Sequence, residues 1–201
     1  MATISEKKNE KRMKILESAF SLFTSKSFSE TAIDEIVKTA GVAKGTFYLY
    51  FKNKYDLLDQ IIIYKSTDLV KEAFYKLDEK SQKEDMSLYD KMIFFGDYIL
   101  DYMTENKELT ALIKKDLPGC FDEIIKSNDS YLKNSIEKLV IDLINIKNIS
   151  EKEALKRLYV IVEMVGSVAC TAILYNRPYP VEEIKPVLYS IIKDMIKGDA
   201  D

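Results

Sequence analysis

The sequence predicts an all-α protein: a three-helix head over residues 1–53 joined to a larger helical bundle over residues 54–201, about nine helices in all. Apolar residues recur at three- and four-residue intervals almost throughout, and no stretch alternates convincingly with period two. A single glycine, Gly41, separates two short helical segments near the start. The remainder is punctuated by the polar run DEKSQKEDMS, by Leu117-Pro118-Gly119 and by Asn176-Arg177-Pro178.

The first helix spans about Lys8 to Ser25. From Thr31 to Leu58 the run TAIDEIVKTAGVAKGTFYLYFKNKYDLL reads as a helix, a tight turn and a second short helix. Ile33, Ile36, Val37 and Ala40 fall at i, i+3, i+4 and i+7, giving one apolar stripe. Thr31, with Asp34 three residues on, forms a capping-box-like start in which Asp replaces the usual Glu or Gln. Gly41 supplies the backbone freedom that the sharp turn requires. On a helix starting near Ala43, Ala43, Phe47 and Phe51 share the inward side, and Lys44, Gly45, Thr46, Tyr48 and Leu49 take the remaining arc. The outer residues suit DNA. Lys44 can reach base edges or phosphate, Gly45 permits close backbone approach, and the Thr46 and Tyr48 hydroxyls suit phosphate oxygens. Lys52 and Lys54 add charge where the next helix begins. A helix-turn-helix of this kind lays its second helix in the major groove.

The segment GVAKGTFYLYFKNKYDLL resembles the DNA-binding signature of the tetracycline-repressor (TetR) family of bacterial regulators. The likeness extends back through the first helix and Phe28 and covers about the first quarter of the chain. Thr31, Gly41-Val42, Gly45-Thr46, Tyr48, Tyr50-Phe51 and Lys54 all fall at the family's spacings. The resemblance implies DNA contact at Thr31, Lys44, Gly45, Thr46, Tyr48, Leu49, Tyr50 and Lys54. Leu49 departs from the pattern, standing where an aromatic residue or His is frequent, and its apolar side chain could meet a thymine methyl.

The chain carries a net charge of −3, but the charge is unevenly spread. Residues 1–55 hold ten Lys/Arg against six Asp/Glu, a balance of +4, so the rest of the chain carries −7. A basic head on an acidic body fits phosphate binding by the head alone. The N-terminal KKNEKRMK could add phosphate contacts or simply be a solvated helix start. Two cysteines, Cys120 and Cys170, form no metal motif, and there is no His. Neither a metal site nor a cofactor is expected, and the usual hydrolase base is missing, so an enzyme is not expected. No signal-peptide pattern opens the sequence, which together with lone thiols suggests a reducing cytoplasm. The apolar run Leu158 to Tyr175 is interrupted by Glu163, Gly166 and Ser167, and no membrane span is expected.

The body is expected as a long helix over about Lys54–Leu77, one over Leu88–Thr104, a short one over Glu105–Lys115 stopped by Leu117-Pro118-Gly119, and one over Phe121–Ile146. Ser150 and Glu153 should cap a helix running to Tyr175. The last helix should reach Lys197 and close at Gly198, with Pro186 near its first turn. The two final helices are apolar on more than one face. Gly166, Ser167, Ala169, Cys170 and Ala172 would allow close helix approach, so a homodimer through these helices is expected, as the resemblance also implies. Two heads about 34 Å apart would then meet a palindromic double-stranded operator.

The middle helices are expected to enclose an effector pocket for a small, largely apolar molecule. Candidate lining residues are Phe94, Phe95, Tyr98, Tyr102, Leu112, Phe121, Tyr131 and Met164, although each taken alone fits plain core better. Glu163 stands alone in an apolar helix and needs a partner: a cationic ligand, Arg157, or a group across a dimer, unless it is exposed at the rim. Asp97 and Asp101 are weaker candidates of the same kind. The leading reading is a one-component transcriptional regulator, most simply a repressor, and the alternative is a helical small-molecule-binding protein without sequence-specific DNA binding.

Overall fold

The computed structural model describes residues 4–197, with side chains from Lys8 onward, and its described residues form ten helices and no strand. They are α1 (Ile4–Lys26), α2 (Ile33–Thr39), α3 (Lys44–Tyr48), α4 (Lys54–Ser81), α5 (Leu88–Glu105), α6 (Lys107–Ile113), α7 (Leu117–Ile125), α8 (Ser130–Lys147), α9 (Glu151–Tyr175) and α10 (Val181–Ile196). Gly198, expected to close the last helix, lies outside the described residues.

The chain divides into two compact units, Met1–Tyr64 and Lys65–Asp201. The division falls inside α4 rather than at its start. Leu57, Leu58, Ile61 and Ile62, on the first turns of α4, are buried. The Arg12 guanidinium donates to Gln60 Oε1 at 2.7 Å, further tying α4 to α1 within the first unit. The rest of that unit's core comes from Ile15, Leu16, Ala19 and Phe23 on α1, Ile36 and Val37 on α2, and Phe47 and Phe51.

In the second unit, α9 is the central helix, packing against α5, α6, α7, α8 and α10. One cluster joins Leu100 and Met103 of α5 to Ala169, Cys170 and Ile173 of α9. Another joins Leu143 of α8, Leu158 and Ile161 of α9, and Ile192 and Ile196 of α10. By length and composition α9 is apolar enough to cross a membrane. It also packs against five helices of the second unit, which is an equally direct use for its buried apolar side chains.

The tenth helix comes from a break within the expected Phe121–Ile146 helix, and Leu117-Pro118-Gly119 starts the first of the two pieces instead of stopping the helix before it. Pro118 sits in the first turn of α7, where its missing N–H costs nothing, and the Asp116 side chain accepts from Gly119 N at 3.1 Å. The single helix expected over Phe121–Ile146 is interrupted at Lys126–Asp129. There the Asp129 carboxylate caps α8 by accepting from Leu132 N at 3.0 Å. Pro186 lies in the second turn of α10, one turn later than expected, and removes one helical hydrogen bond there.

Candidate nucleic-acid interface and ligand cavity

The head is built around the α2–α3 turn. Ile36, Val37 and Ala40 are buried, as the stripe requires, and Gly41 adopts φ +66°. Gly41 N donates to Lys38 O at 3.2 Å and Val42 N to Val37 O at 3.0 Å, so the helix end is closed by a Schellman turn. Ala43 does not share the inward side with Phe47 and Phe51. It is the exposed, extended residue that precedes α3. Phe47 and Phe51 are buried to 0% and 1% exposure, with ring centroids 5.5 Å apart, and they anchor the five-residue α3.

That anchoring turns Tyr48 and Leu49 outward, at 54% and 76% exposure. Lys44 and Gly45 are exposed, and Thr46 and Tyr50 are half-buried. A Cβ added at Gly45 would meet nothing, so neither packing nor backbone strain within the chain requires glycine there. The Lys44 ammonium pairs with Asp34 Oδ1 at 2.6 Å, and this hydrogen bond pushes the lysine's pKa up. An exposed carboxylate thus shares the outer face with the expected DNA contacts.

Two of the residues assigned to that face have other roles. Thr31 is 2% exposed, and its hydroxyl donates to Ser27 O at 2.8 Å, so its side chain neither caps α2 nor faces outward. Ala32 takes the cap position without a side-chain hydrogen bond. The Lys54 ammonium donates to Phe28 O at 2.7 Å and Thr31 O at 2.9 Å and lies 4.3 Å from the Phe28 ring centre. It ties the start of α4 to the turn before α2.

The second unit encloses a cavity of about 220 Å³. Its wall is apolar: Leu69 and Phe74 from α4, Met92, Phe95, Ile99 and Met103 from α5, Phe121 and Ile124 from α7, Ile136 from α8, and Ile161 and Val165 from α9. Ser66, Cys120 and Tyr189 are its polar members, and no charged side chain lines it among the described residues. Burial pushes the Cys120 thiol's pKa up, which keeps it protonated. The Tyr189 hydroxyl donates to the Asp97 carboxylate.

Of the expected lining residues, Phe95 and Phe121 face this cavity. Phe94 packs beside α4 and α8, Tyr98 and Tyr102 against the α5–α9 cluster, and Met164 against the α8–α9–α10 cluster. Leu112 is buried core. Tyr131 stacks on Tyr75 at 4.1 Å and donates to Asp78 Oδ2 at 2.7 Å. Burial and the neighbouring Glu72 carboxylate push the Tyr98 phenol up to about 12. The α5 residues that do line the cavity recur as Met92, Phe95, Ile99 and Met103, a helical stripe turned from the aromatic one and legible only from that period.

Glu163 also lies outside the cavity wall. Its Oε1 is buried without a hydrogen-bond partner, and burial raises the carboxyl's pKa. Arg157, one candidate partner, directs its guanidinium to Met195 O at 3.4 Å and Glu153 Oε1 at 3.6 Å. Asp97 and Asp101 are taken by Lys185, at 3.2 Å and 2.6 Å. Four of the five small residues of α9 are used within the chain: Ala169, Cys170 and Ala172 are buried, and a Cβ at Gly166 would run into Leu117, whereas Ser167 is exposed.

Residues 15–61 match the family pattern of bacterial regulatory proteins, tetR family. The head of this chain is similar to that of the TetR family. The TetR-type match covers the turn, α3 and the start of α4, the same segments that set Tyr48 and Leu49 outward. A relative, the fatty acid metabolism regulator protein of Bacillus subtilis, is 32% identical over 124 residues, covering 57% of this chain and 64% of that protein. The chain therefore matches less than two thirds of that relative's length. Among solved structures, a TetR family transcription regulator from Marinobacter aquaeolei superimposes with a TM-score of 0.61 at 20% identity, covering 96% of this chain and 98% of that one. Thermus thermophilus FadR, a TetR-family transcriptional repressor in complex with lauroyl-CoA, superimposes with a TM-score of 0.63 at 15% identity, covering 94% and 97%. At these identities the two structures establish a shared fold.

Proposed function

We propose that this chain is a cytoplasmic one-component transcriptional repressor of the TetR family. It binds palindromic operator DNA as a homodimer and is controlled by a small, largely apolar effector held in its helical body. The observation that carries this reading is α3 itself, with Phe47 and Phe51 buried while Lys44, Gly45, Tyr48 and Leu49 stand in solvent. Exposed aromatic and aliphatic side chains beside a lysine lower solubility without adding core, which suits a surface made for a partner.

Of the eight residues assigned to DNA, Lys44, Gly45, Thr46, Tyr48, Leu49 and Tyr50 form the contact face. Thr31 and Lys54 support it from behind through the carbonyls they engage. The apolar cavity, with an acyl-CoA-bound family member sharing the fold, supports a fatty acyl thioester as the effector class. The dimer surface is the outward stripe of α9 and α10, where Val160, Val168, Tyr175, Val187 and Ile191 are exposed.

The reading is tested by selecting duplexes from a randomised pool with the full chain and titrating the selected duplex at fixed salt. Tyr48→Ala should weaken binding at least tenfold with thermal stability and oligomeric state unchanged, since its ring is outside the core. Lys54→Ala should weaken binding and also lower the melting temperature. Unchanged affinity in Tyr48→Ala, or a pool from which nothing is selected, would count against the assigned face.

A further inference from the structure

We infer that Ser66 is the specificity-determining group of the cavity, reading an uncharged carbonyl on an otherwise apolar, chain-like ligand. This deepens the effector assignment above and rests on it. Ser66 is 5% exposed, projects from α4 into the cavity wall, and meets Cys120 Sγ at 3.3 Å. A thiol is a weak partner for a hydroxyl, whereas a buried O–H gains most from a carbonyl oxygen.

The surroundings narrow the ligand's chemistry. With no charged side chain in the wall among the described residues, an ionised carboxylate or ammonium would enter without compensation, so only a neutral group is accepted at that depth. The Tyr189 hydroxyl is turned away to Asp97, which leaves Ser66 and Cys120 as the polar atoms available. Either atom of this contact can donate, and a protonated thiol donating to Ser66 Oγ leaves the serine O–H free for the ligand's carbonyl. An acyl thioester or ester presents one such oxygen at the head of an apolar chain. A matching thioether presents none.

Lauroyl-CoA and S-dodecyl-CoA, which differ at this carbonyl, separate the possibilities by titration calorimetry on the full chain. The parent protein should prefer lauroyl-CoA roughly three- to tenfold, the worth of one neutral hydrogen bond. Ser66→Ala should bind both alike, at the parent's affinity for the thioether. Cys120→Ser, which leaves a hydroxyl partner beside Ser66, should keep the preference. Equal affinities in the parent, a preference that survives in Ser66→Ala, or loss of both ligands by Ser66→Ala would each overturn the assignment. If the parent binds neither molecule, the effector class falls as well. Binding of both without preference removes Ser66 alone.

Discussion

Phe47 and Tyr48 are chemically close neighbours with opposite fates, one fully buried and one half in solvent. Helical geometry separates adjacent side chains by about 100°, so anchoring the first aims the second. That much was legible from Phe47 and Phe51 four residues apart. The roles of Thr31 and Lys54 were not, because their partners are the carbonyls of Ser27 and Phe28, and a sequence does not display which carbonyls a fold leaves open. Glu163 is the sharpest residue-scale case. Folding raises its pKa, so between the unfolded and folded values the native state holds the proton more tightly, and stability falls as pH rises through that window. At neutral pH the ionised carboxylate, with Oε1 buried and without a hydrogen-bond partner, is a cost. Glu163→Gln should therefore raise the melting temperature by a few degrees at pH 7, with the gain shrinking toward zero on acidification below the unfolded carboxyl's range. Melting curves across pH check this, and a pH-independent difference would refute it.

Among the elements, the α2–α3 turn was readable because its chemistry is local. Gly41 at φ +66° closes α2 through two backbone hydrogen bonds, and no residue elsewhere is needed to specify it. Gly41→Ala should cost about 1–2 kcal/mol, the strain of an L side chain in the left-handed region. Urea unfolding measures it, and since open space surrounds the missing Cβ, the loss should reflect strain rather than a clash. The N-cap of α9 was equally local, with Ser150 Oγ accepting from Glu153 N at 3.3 Å. The Leu117-Pro118-Gly119 segment was misread because proline marks both ends of helices. Its sense depended on Asp116, whose side chain reaches forward to cap Gly119. The same holds for Asp129, which divides an otherwise continuous apolar pattern into α7 and α8.

For the whole molecule, an apolar stripe on α9 and α10 left in solvent is the feature that the single chain does not use. Val160 and Ile191 are 49% and 39% exposed. Placing a charge at both, Val160→Asp with Ile191→Asp, should convert the proposed dimer into monomers by light scattering. Affinity for a selected palindromic duplex should fall by at least tenfold, while the proposed binding of lauroyl-CoA, in a cavity whose α9 wall excludes Val160, should persist. A double variant that stays dimeric would move the interface elsewhere. The unequal charge of head and body, read from composition, belongs to this scale too: it gives an acidic chain a basic head.

Sequence alone determined the helical class, the head and its turn, and the residues that α3 turns outward. Each depends on contacts within a few positions along the chain, where spacing and side-chain type suffice. Tertiary structure alone decided which α5 stripe faces the cavity, that Ser66 meets Cys120, that most of the small residues of α9 are spent inside the chain, and that Glu163 Oε1 is buried without a hydrogen-bond partner. Those outcomes depend on how far each helix is rotated against its neighbours. A rotation of one residue exchanges an aromatic stripe for the aliphatic one beside it, with no change in the helical period that either stripe displays.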